Sequence, residues 1–349
     1  MSVLEASMTM PQALSKLMDG HDLLREEAQA VMNLIMKGEA TPAQIGGIVV
    51  ALRLKGESVD EITGFAEAMR SFSGKLRTAN EDLLDTCGTG GSGIHKFNIS
   101  TSSAIIAAAA GVRVAKHGNR AMSGKAGSAD VLEALGVHIE LTAEQASACL
   151  DRTGICFMFA QLYHPALKHA AAPRKELGVR TIFNMLGPLA NPANADRQLM
   201  GLYDRTRTAT VAQVLGRLGL RRAMVVGSHD GLDEISISAP TQVSELKDGV
   251  VTTYDITPEA LGLTTAPLGE VRGGDAAENA AIIRRVFDGE MGAYRDVVLA
   301  NAGACIYVAG RAETLADGVK RAAETIDNGA AKDKLQQWIA TTGEVSHVS

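Results

Sequence analysis

The first 75 residues repeat apolar side chains with the period of an α-helix. Residues 45–52 and 62–69 each place them at the i, i+3, i+4, i+7 spacing of a single helix face. Thr41 and Ser58 precede these stripes, each followed three residues later by the Gln or Glu of a capping box. We therefore predict a small all-helical N-terminal domain over residues 1–75, whose apolar stripes form its core or a helix-on-helix dimer face.

From residue 80 onward, short apolar runs alternate with helical stretches that open on Ser or Thr. This alternation predicts βαβ units and a largely parallel sheet. The predicted strands are residues 83–86, 112–116, 155–160, 199–203 and 223–227. The predicted helices between them are residues 100–110, 128–135, 142–152 and 206–218.

The remaining segments complete the predicted α/β fold. Strand-like pieces within residues 235–254, with a Lys-Asp-Gly turn at 247–249, predict a hairpin. Helices are predicted at 296–308 and 315–339, the second broken at Asn328 and Gly329. We expect a large, mostly parallel-sheet α/β domain at residues 80–349. A helix at residues 164–180 interrupts the strand rhythm and is expected to join the helical domain, which would leave a cleft near Arg174.

Composition and charge restrict the classes of partner. Apolar residues make up 46% of the 349 residues and charged residues 21%, which fits a globular protein of roughly two domains and excludes a disordered or fibrous class. The chain has 34 Lys and Arg against 40 Asp and Glu, a formal net charge of −6. Such a balance argues against the broad basic surface that binding of nucleic acid or anionic membranes requires.

The cysteines and the N-terminus point to a cytoplasmic protein. Cys87, Cys149, Cys156 and Cys305 show neither C-x-x-C spacing nor a nearby zinc-ligand pattern, so we expect reduced thiols. The N-terminus lacks a basic stretch followed by an apolar one, and the longest apolar run, residues 104–112, is too short to span a bilayer. We therefore expect no membrane partner.

Four glycines among six residues follow the first predicted strand. Gly88, Gly90 and Gly93 fit G-x-G-x-x-G, but a dinucleotide site also needs the helix to begin within the motif and an acidic residue at the end of the next strand. Neither condition holds, and the Lys of a Walker A loop is also missing. We interpret residues 88–93, the glycine loop, as a nest of backbone N–H groups for phosphate or pyrophosphate. The alternative is a tight turn that needs only positive φ angles.

Two further clusters follow predicted strands and favour the phosphate interpretation. Residues 116–130, the basic cluster, carry Lys116, His117, Arg120 and Lys125 among glycines and serines. Residues 227–236, the acidic loop, contain Asp230, Asp233 and Glu234, whose hard oxygens suit Mg²⁺ that also binds substrate phosphates. For each cluster taken alone, the alternative is a solvated loop. In a parallel sheet, all three segments emerge at the carboxyl edge, where ligands bind.

Six motifs in this order resemble those of the anthranilate phosphoribosyltransferase family: DTCGTGG, FNIST, AKHGNR, AGSAD, RTIFNMLGPLANP and DGLDE. The resemblance covers roughly residues 10 to 340, nearly the whole chain. It implies a helical domain that forms a homodimer, an α/β domain related to nucleoside phosphorylases, and Mg²⁺-dependent transfer from phosphoribosyl pyrophosphate to anthranilate. The product would be N-(5-phosphoribosyl)anthranilate, an intermediate of tryptophan biosynthesis.

The resemblance also implies site residues. Anthranilate would contact Gly88, Asn119 and Arg174, with Arg174 at its carboxylate, and Mg²⁺ would be bound by Ser100, Asp233 and Glu234. Phosphoribosyl pyrophosphate would be bound by Gly88, Gly91, Ser92, Lys96, Asn98, Ile99, Ser100, Thr101, Lys116, His117, Gly118, Asn119, Arg120, Ser123, Gly124 and Ser128.

Two positions depart from the family pattern. Ser92 replaces the usual Asp and Lys96 a frequent Thr, which makes the loop more positive. We hypothesise that Lys96 partly replaces Mg²⁺ in neutralising pyrophosphate. No acid or base catalyst is assigned; His117 is the one candidate proton acceptor, and orientation or packing explains it equally well.

Three rival functions make different demands on the sequence. A pyrimidine nucleoside phosphorylase would share the fold, but the sequence around Arg174 and the NIST segment favour an aromatic-acid acceptor. A catalytically silent nucleic-acid-binding relative would be expected to lose the glycine loop. An NADP-dependent enzyme is the third alternative, and Lys116 leaves it open. A lack of NADPH fluorescence enhancement would exclude it.

Overall fold

The computed structural model describes residues 8–76, 78, 82–90, 93–121 and 125–347. Its N-terminal part is helical: α1 spans Met10–Met18, α2 Arg25–Lys37, α3 Pro42–Lys55 and α4 Val59–Ser71. The predicted capping boxes are confirmed, since the Thr41 hydroxyl accepts the Gln44 N–H at 3.3 Å and the Gln44 side chain accepts the Thr41 N–H at 3.0 Å. Both predicted apolar stripes are buried.

Within the described residues, seven strands form one sheet in the order β3-β2-β1-β4-β5-β6-β7. Strands β1 to β5 are parallel, and β6 and β7 add the predicted antiparallel hairpin. The mostly parallel α/β prediction is therefore confirmed. The strands are β1 Leu83–Gly88, β2 Arg113–Gly118, β3 Ile155–Phe159, β4 Arg197–Gly201, β5 Arg222–Ser228, β6 Thr241–Lys247 and β7 Val250–Ile256.

Strand ends differ from the prediction at the edge that carries the site. Strand β1 continues to Gly88 and β2 to Gly118, because these glycines pair with Gly201 and Phe159 on the neighbouring strands. The apolar pattern ends earlier, so the sequence alone stops each strand two residues short. Conversely, β4 ends before Tyr203 because the Tyr203 N–H donates to the Thr89 hydroxyl at 3.2 Å instead of to a strand.

The helices predicted after β1 lie close to their predicted positions, whereas the helices at 160–163, 183–189 and 276–287 were not predicted. The break predicted after residue 327 is confirmed, with Gly329 at φ +81° between the last two helices. The helices are α5 Ile99–Ala109, α6 Ser128–Leu135, α7 Ala143–Thr153, α8 Ala160–Tyr163, α9 Lys168–Leu177, α10 Phe183–Leu189, α11 Thr208–Arg217, α12 Ala276–Phe287, α13 Ala293–Val308, α14 Leu315–Asp327 and α15 Ala330–Ser346.

The buried apolar side chains of the described residues form two cores, one on each face of the central strands. Leu199 of β4 belongs to the core shared with α5 and α13, whereas its neighbour Met200 belongs to the core of the helical domain. Met224 and Val225 of β5 alternate in the same way, as the two-residue period of a strand requires. The helical domain is thus packed directly onto the sheet.

Helix α9 packs against α2 and α3, with Ala170 fully buried in the helical domain's core. This helix lies within residues 164–180, the segment predicted to join the helical domain. None of the helices in the described ranges combines the length and apolarity that crossing a membrane needs.

Candidate active site

The acidic loop crosses the carboxyl ends of β1 and β4. A Cβ on Gly88, the last residue of β1, would lie 3.0 Å from Asp233 Oδ2. A Cβ on Gly201, the last residue of β4, would lie only 1.9 Å from the Asp233 carbonyl oxygen. A contact of 1.9 Å is impossible for a real Cβ and one of 3.0 Å is tight, so glycine at these strand ends allows Asp233 to approach the sheet. The glycine loop and the acidic loop therefore meet at one edge, as the sequence predicts.

Lys96 lies between the two carboxylates predicted to bind metal. Its Nζ donates to Asp233 Oδ1 at 2.8 Å and to Glu234 Oε1 at 3.0 Å, and Gly90 N–H donates to Asp233 Oδ2 at 3.1 Å. The Asp233 and Glu234 side chains are 1% and 4% exposed, and that of Lys96 is 17% exposed. The sequence-based hypothesis about Lys96 did not foresee these carboxylate partners.

Burial and pairing act in opposite directions on the charges of this group. Burial alone would lower the pKa of the Lys96 ammonium, but the charges of Asp233 and Glu234 outweigh it and raise that pKa above its usual range. Burial raises the pKa of Glu234, and the nearby charge of Asp233 adds to the rise while Lys96 opposes it. The ammonium is therefore held charged by the carboxylates it neutralises.

Lys116 forms a second buried charge arrangement on β2. Its side chain donates to the Thr86 carbonyl and, at 3.4 Å, to the Ser100 hydroxyl. Asp85 on β1 is fully buried and accepts the His117 N–H at 3.1 Å. Burial raises the pKa of Asp85, opposed by the charge of Lys116 and by a hydrogen bond from Asn191.

Asp85 and Asn191 were not predicted as part of the site. Asn191 also donates from its side chain to the Ala115 carbonyl at 2.9 Å, so the pair fixes the end of β2. The available signal was the carboxylate of Asp85 inside an otherwise apolar strand, which is costly unless it is paired.

The start of helix α5 brings together four predicted binding residues with different roles. The Ile99 side chain is fully buried in the core, so only its backbone can reach a ligand. The Asn98 side chain accepts from Asn279 at 2.9 Å and donates to the Ala126 carbonyl at 3.4 Å, which ties three segments together. The Ser100 hydroxyl contacts Lys116, whereas the buried Thr101 hydroxyl finds no hydrogen-bond partner in the described part of the chain.

The basic cluster is folded against its own helix. Arg120 pairs with Asp130 at 3.1 Å and with Glu133, and its guanidinium lies 5.4 Å from the Phe159 ring centre. The hydrogen bonds to Glu133 and Asp130 raise the pKa of Arg120 further above its usual range. The charge of Arg120 is therefore paired with carboxylates of α6, and its contact with an anion stays a prediction.

Ser128 of the basic cluster lies against the end of β2 and the residue that follows it. Ser128 donates from its hydroxyl to the Asn119 carbonyl at 3.3 Å, and a Cβ on Gly118 would lie 2.2 Å from that hydroxyl. Lys125 is exposed. Four predicted binding residues lie outside the described residues: Gly91, Ser92, Ser123 and Gly124.

Two histidines meet beside the end of β2. The rings of His117 and His164 are 5.0 Å apart, both are buried, and the Nε2 atom of each lacks a hydrogen-bond partner among the described residues. Burial lowers the pKa of His117 to about 3 and that of His164 to about 4. Both rings are therefore uncharged at neutral pH. His164 was not predicted as a site residue, since its sequence context indicates only a helix.

Arg174 is carried by α9, next to the helical domain. Its guanidinium lies 5.1 Å from the ring centre of Phe183, and burial lowers its pKa without removing its charge at neutral pH. Arg180 lies 4.4 Å from the ring of Tyr203 in a similar arrangement that was not predicted.

Asp230 does not join the other two carboxylates of the acidic loop. Its oxygens accept the Leu232 N–H at 3.1 Å and the Ser236 hydroxyl at 2.7 Å, which closes the turn. Among the described residues, no group of three or more His, Cys, Asp or Glu side chains could hold a metal ion. A cation at Asp233 and Glu234 would therefore need further oxygen ligands from water or from a phosphate.

Two family models match successive parts of the chain. The model described as "Glycosyl transferase family, helical bundle domain" matches residues 11–73. The model described as "Glycosyl transferase family, a/b domain" matches residues 80–332.

Similar proteins share one name. The anthranilate phosphoribosyltransferase of Brevibacillus brevis is 53% identical, with 97% of this chain and 99% of the relative covered. The crystal structure of anthranilate phosphoribosyltransferase from Thermus thermophilus is 44% identical with a TM-score of 0.90, covering 95% of this chain and 99% of that one. The Saccharomyces cerevisiae enzyme in complex with PRPP and Mg has the same fold, with a TM-score of 0.82 at 23% identity over 97% of this chain and 94% of that one.

Gly201→Ala is expected to destabilise the protein, because the added Cβ would collide with the Asp233 carbonyl oxygen. We expect the free energy of unfolding in urea to fall by roughly 2 kcal/mol or more. Gly343→Ala is the matched control, since it adds the same atom in helix α15 where nothing lies within 4 Å. Equal stability of the two variants would contradict the close approach of Asp233.

His164→Gln is expected to make the protein less sensitive to acid. The folded chain resists protonation of His164 down to about pH 4, whereas the unfolded chain takes up that proton below 6.5, so stability falls as the pH drops between these values. Between about pH 7 and about pH 5, this histidine should account for about 2 kcal/mol of lost unfolding free energy.

Urea unfolding of the wild type and His164→Gln at both pH values measures this loss. His138→Gln, which replaces an exposed histidine, should retain the wild-type difference. An unchanged difference in His164→Gln would show that this buried ring does not cause the acid sensitivity.

Proposed function

Since this chain belongs to the anthranilate phosphoribosyltransferase family, we propose that it transfers the phosphoribosyl group of phosphoribosyl pyrophosphate to the amine of anthranilate. The products are N-(5-phosphoribosyl)anthranilate and pyrophosphate, as in tryptophan biosynthesis. One observation carries the proposal: the Lys96 ammonium forms ion pairs with both Asp233 and Glu234, and Asp233 lies against Gly88 at the end of β1. The glycine loop and the predicted metal ligands therefore share one site.

The diphosphate binds at the carboxyl edge, over the glycine loop and the start of α5. Backbone N–H groups in the first turn of an α-helix lack partners within the helix and attract anions. The buried Thr101 hydroxyl, without a partner in the described ranges, supports this position, and so does the Lys116 contact with Ser100.

The donor set of Asp233, Glu234 and Ser100 fits Mg²⁺. The two carboxylates already converge on one cationic group at 2.8 and 3.0 Å, and carboxylate and hydroxyl oxygens are the ligands this ion accepts. Bound Mg²⁺ would supply positive charge to the departing diphosphate.

The reaction breaks the bond between the anomeric carbon and the pyrophosphate oxygen while the amine nitrogen forms a bond to that carbon and releases a proton. Negative charge grows on the leaving group, so preorganised donors stabilise the transition state. The cations Lys96 and Lys116 and the N–H groups of the glycine loop and α5 supply this stabilisation. The amine of anthranilate is uncharged at neutral pH, and the reaction therefore needs no strong base.

His117 has the properties of a neutral acceptor. Its ring is uncharged near pH 7 because burial lowers its pKa to about 3, and its Nε2 has no partner among the described residues. It therefore acts by orienting the amine or by packing. Because its pKa is about 3, the His117 ring takes up almost none of the released protons at neutral pH.

Anthranilate binds with Gly88 and Asn119, which follow or end two strands, on one side and with Arg174 on the other. Arg174 keeps a half-buried charge with an aromatic ring at 5.1 Å, a setting in which a carboxylate pairs strongly. The position of α9 against α2 and α3 supports the proposed domain limits of 1–75, with residues 164–180 added, and 80–349.

We also propose that the protein is a cytoplasmic homodimer formed through the helical domain. Met18 of α1 and Leu54 of α3 are 74% and 83% exposed, and these two helices pack together. All four cysteines are buried and unbridged, as a reducing compartment favours. Small-molecule substrates, with no nucleic acid or membrane, are its proposed partners.

The direct test of the function follows the fluorescence of anthranilate in the presence of phosphoribosyl pyrophosphate and Mg²⁺. The signal should fall as anthranilate is consumed, and omission of phosphoribosyl pyrophosphate should abolish the change. Constant fluorescence with both substrates present would refute the function.

Asp233→Asn and Arg174→Ala are expected to affect different kinetic constants. Asp233→Asn removes charge that the transition state needs and should lower kcat about 10²- to 10³-fold. Arg174→Ala removes a substrate contact and should mainly raise the KM for anthranilate. Steady-state kinetics measure both, with the exposed ion-pair variants Asp288→Asn and Arg285→Ala as controls. Small, equal effects on kcat and KM would contradict these roles.

Leu54→Glu is expected to weaken the homodimer, because it buries a charge where two apolar helical surfaces would meet. Light scattering during size-exclusion chromatography should show a wild-type dimer and a larger share of monomer for the variant. Val250→Glu makes the same kind of change at an exposed position of strand β7 and should stay dimeric. A variant Leu54→Glu that remains fully dimeric would move the interface elsewhere.

A further inference from the structure

The backbone at Lys96 and Phe97 is anchored to residues 271 and 272. Lys96 forms a strand-like bridge with Arg272, and the next residue, Phe97, donates its N–H to the Val271 carbonyl at 3.3 Å. The ring of Phe97 meets that of Tyr294 edge-on at 5.1 Å, and Tyr294 in turn donates to the Arg272 carbonyl at 2.7 Å. The backbone under Lys96 is therefore anchored in the fold, within reach of the Asp233 and Glu234 carboxylates.

The ammonium occupies the position that a cation shared by the two carboxylates would take. Nζ contacts an oxygen of Asp233 and an oxygen of Glu234, and it also donates to the Asp233 carbonyl at 3.3 Å. Two carboxylates with almost no exposure need such a partner, because buried unpaired charges are strongly destabilising. A divalent cation bound to the same oxygens would have to displace the ammonium.

We propose that Lys96 is the resident counter-ion of the Asp233 and Glu234 carboxylates in the free enzyme, and that it yields to a divalent cation only when phosphoribosyl pyrophosphate binds. This inference rests on the proposed function for the identity of the anion. Lys96 therefore makes metal binding conditional on the substrate.

The exchange leaves no buried charge unpaired. The Lys96 side chain is partly exposed, and its flexible four-carbon stem lets the ammonium move while the backbone stays anchored. The incoming diphosphate offers the ammonium new anionic oxygens next to the glycine loop. The carboxylates then receive the divalent cation, whose remaining ligands come from the same diphosphate and from water.

Thermodynamic linkage makes the proposal measurable. If the diphosphate removes the competing ammonium, it must tighten divalent-cation binding, and the cation must tighten diphosphate binding by the same factor. Removal of the ammonium by mutation should reproduce part of this tightening without any substrate.

The test measures Mn²⁺ affinity by electron paramagnetic resonance of the unbound ion, with the full-length protein and without substrate. Lys96→Thr and Lys96→Met should bind Mn²⁺ about tenfold or more tightly than wild type. Lys96→Arg keeps the charge and should bind as weakly as wild type. Lys332→Thr removes a lysine from an exposed pair with Asp288 and should not change the affinity. The double variant Lys96→Thr with Asp233→Asn should lose the gain, which assigns it to this site.

A second titration adds phosphoribosyl pyrophosphate. It should tighten Mn²⁺ binding to the wild type by a larger factor than to Lys96→Thr, because the variant has no ammonium left to displace. Mn²⁺ also binds phosphoribosyl pyrophosphate in solution. A titration without protein measures this binding, which is then subtracted. Thermal melting of each variant shows whether it is folded. If Lys96→Thr does not fold, Lys96→Met takes its place in the titration with substrate.

Two results would overturn the proposal: Lys96 variants whose Mn²⁺ affinity without substrate stays within about twofold of wild type, or equal tightening by substrate in wild type and Lys96→Thr. The fluorescence assay separates this failure from failure of the function. If the wild type consumes anthranilate while these titrations show no effect of Lys96, only the counter-ion inference is wrong. If the wild type consumes no anthranilate, the function is wrong, and the substrate-free titration still decides the counter-ion role.

Discussion

The active site depends on cations and hydrogen bonds that compensate the charge of carboxylates buried near the carboxyl edge of the sheet. Asp85, Asp233 and Glu234 have almost no exposure, and removing such groups from water is costly unless a cation or several hydrogen bonds replace the solvent. Lys96 and Lys116 supply those cations. The position of the acidic loop, the end of β2 and the start of α5 all follow from these pairings.

The same pairings mean that the site is not simply a basic pocket. Lys96 lies on Asp233 and Glu234, and Arg120 pairs with Asp130 and Glu133. Under the proposed function, an anionic substrate would compete with carboxylates of the protein for Lys96. Such competition weakens binding of an anion alone and favours an anion that arrives with its own metal ion, as a diphosphate does.

The two hydrophobic cores explain how residues from different layers are held in fixed positions relative to the sheet. The helical domain packs on one face of β4 and β5, while α5 and α13 pack on the other. Helix α9 packs with the helical domain, so Arg174 belongs to a different layer than the glycine loop. A shared core between domains gives this arrangement a fixed geometry that a flexible linker would not.

The sequence by itself determined most of the elements and their order, because capping boxes, apolar periodicity and glycines act over a few neighbouring residues. It also determined the family, through motifs such as DTCGTGG and DGLDE, and with them the predicted site residues. Local patterns of this kind predicted the hairpin, the parallel sheet and the break at Gly329.

Only the tertiary structure decided where the strands end and which charges pair. Gly88 and Gly118 extend their strands because neighbouring strands offer them partners, and Asp230 differs from Asp233 because its hydrogen bonds close a turn. The pairing of Lys96 with residues 137 and 138 positions further along the chain, and the meeting of His117 with His164, have no local signal. Charge pairing and burial depend on distances in space, which a one-dimensional pattern does not contain.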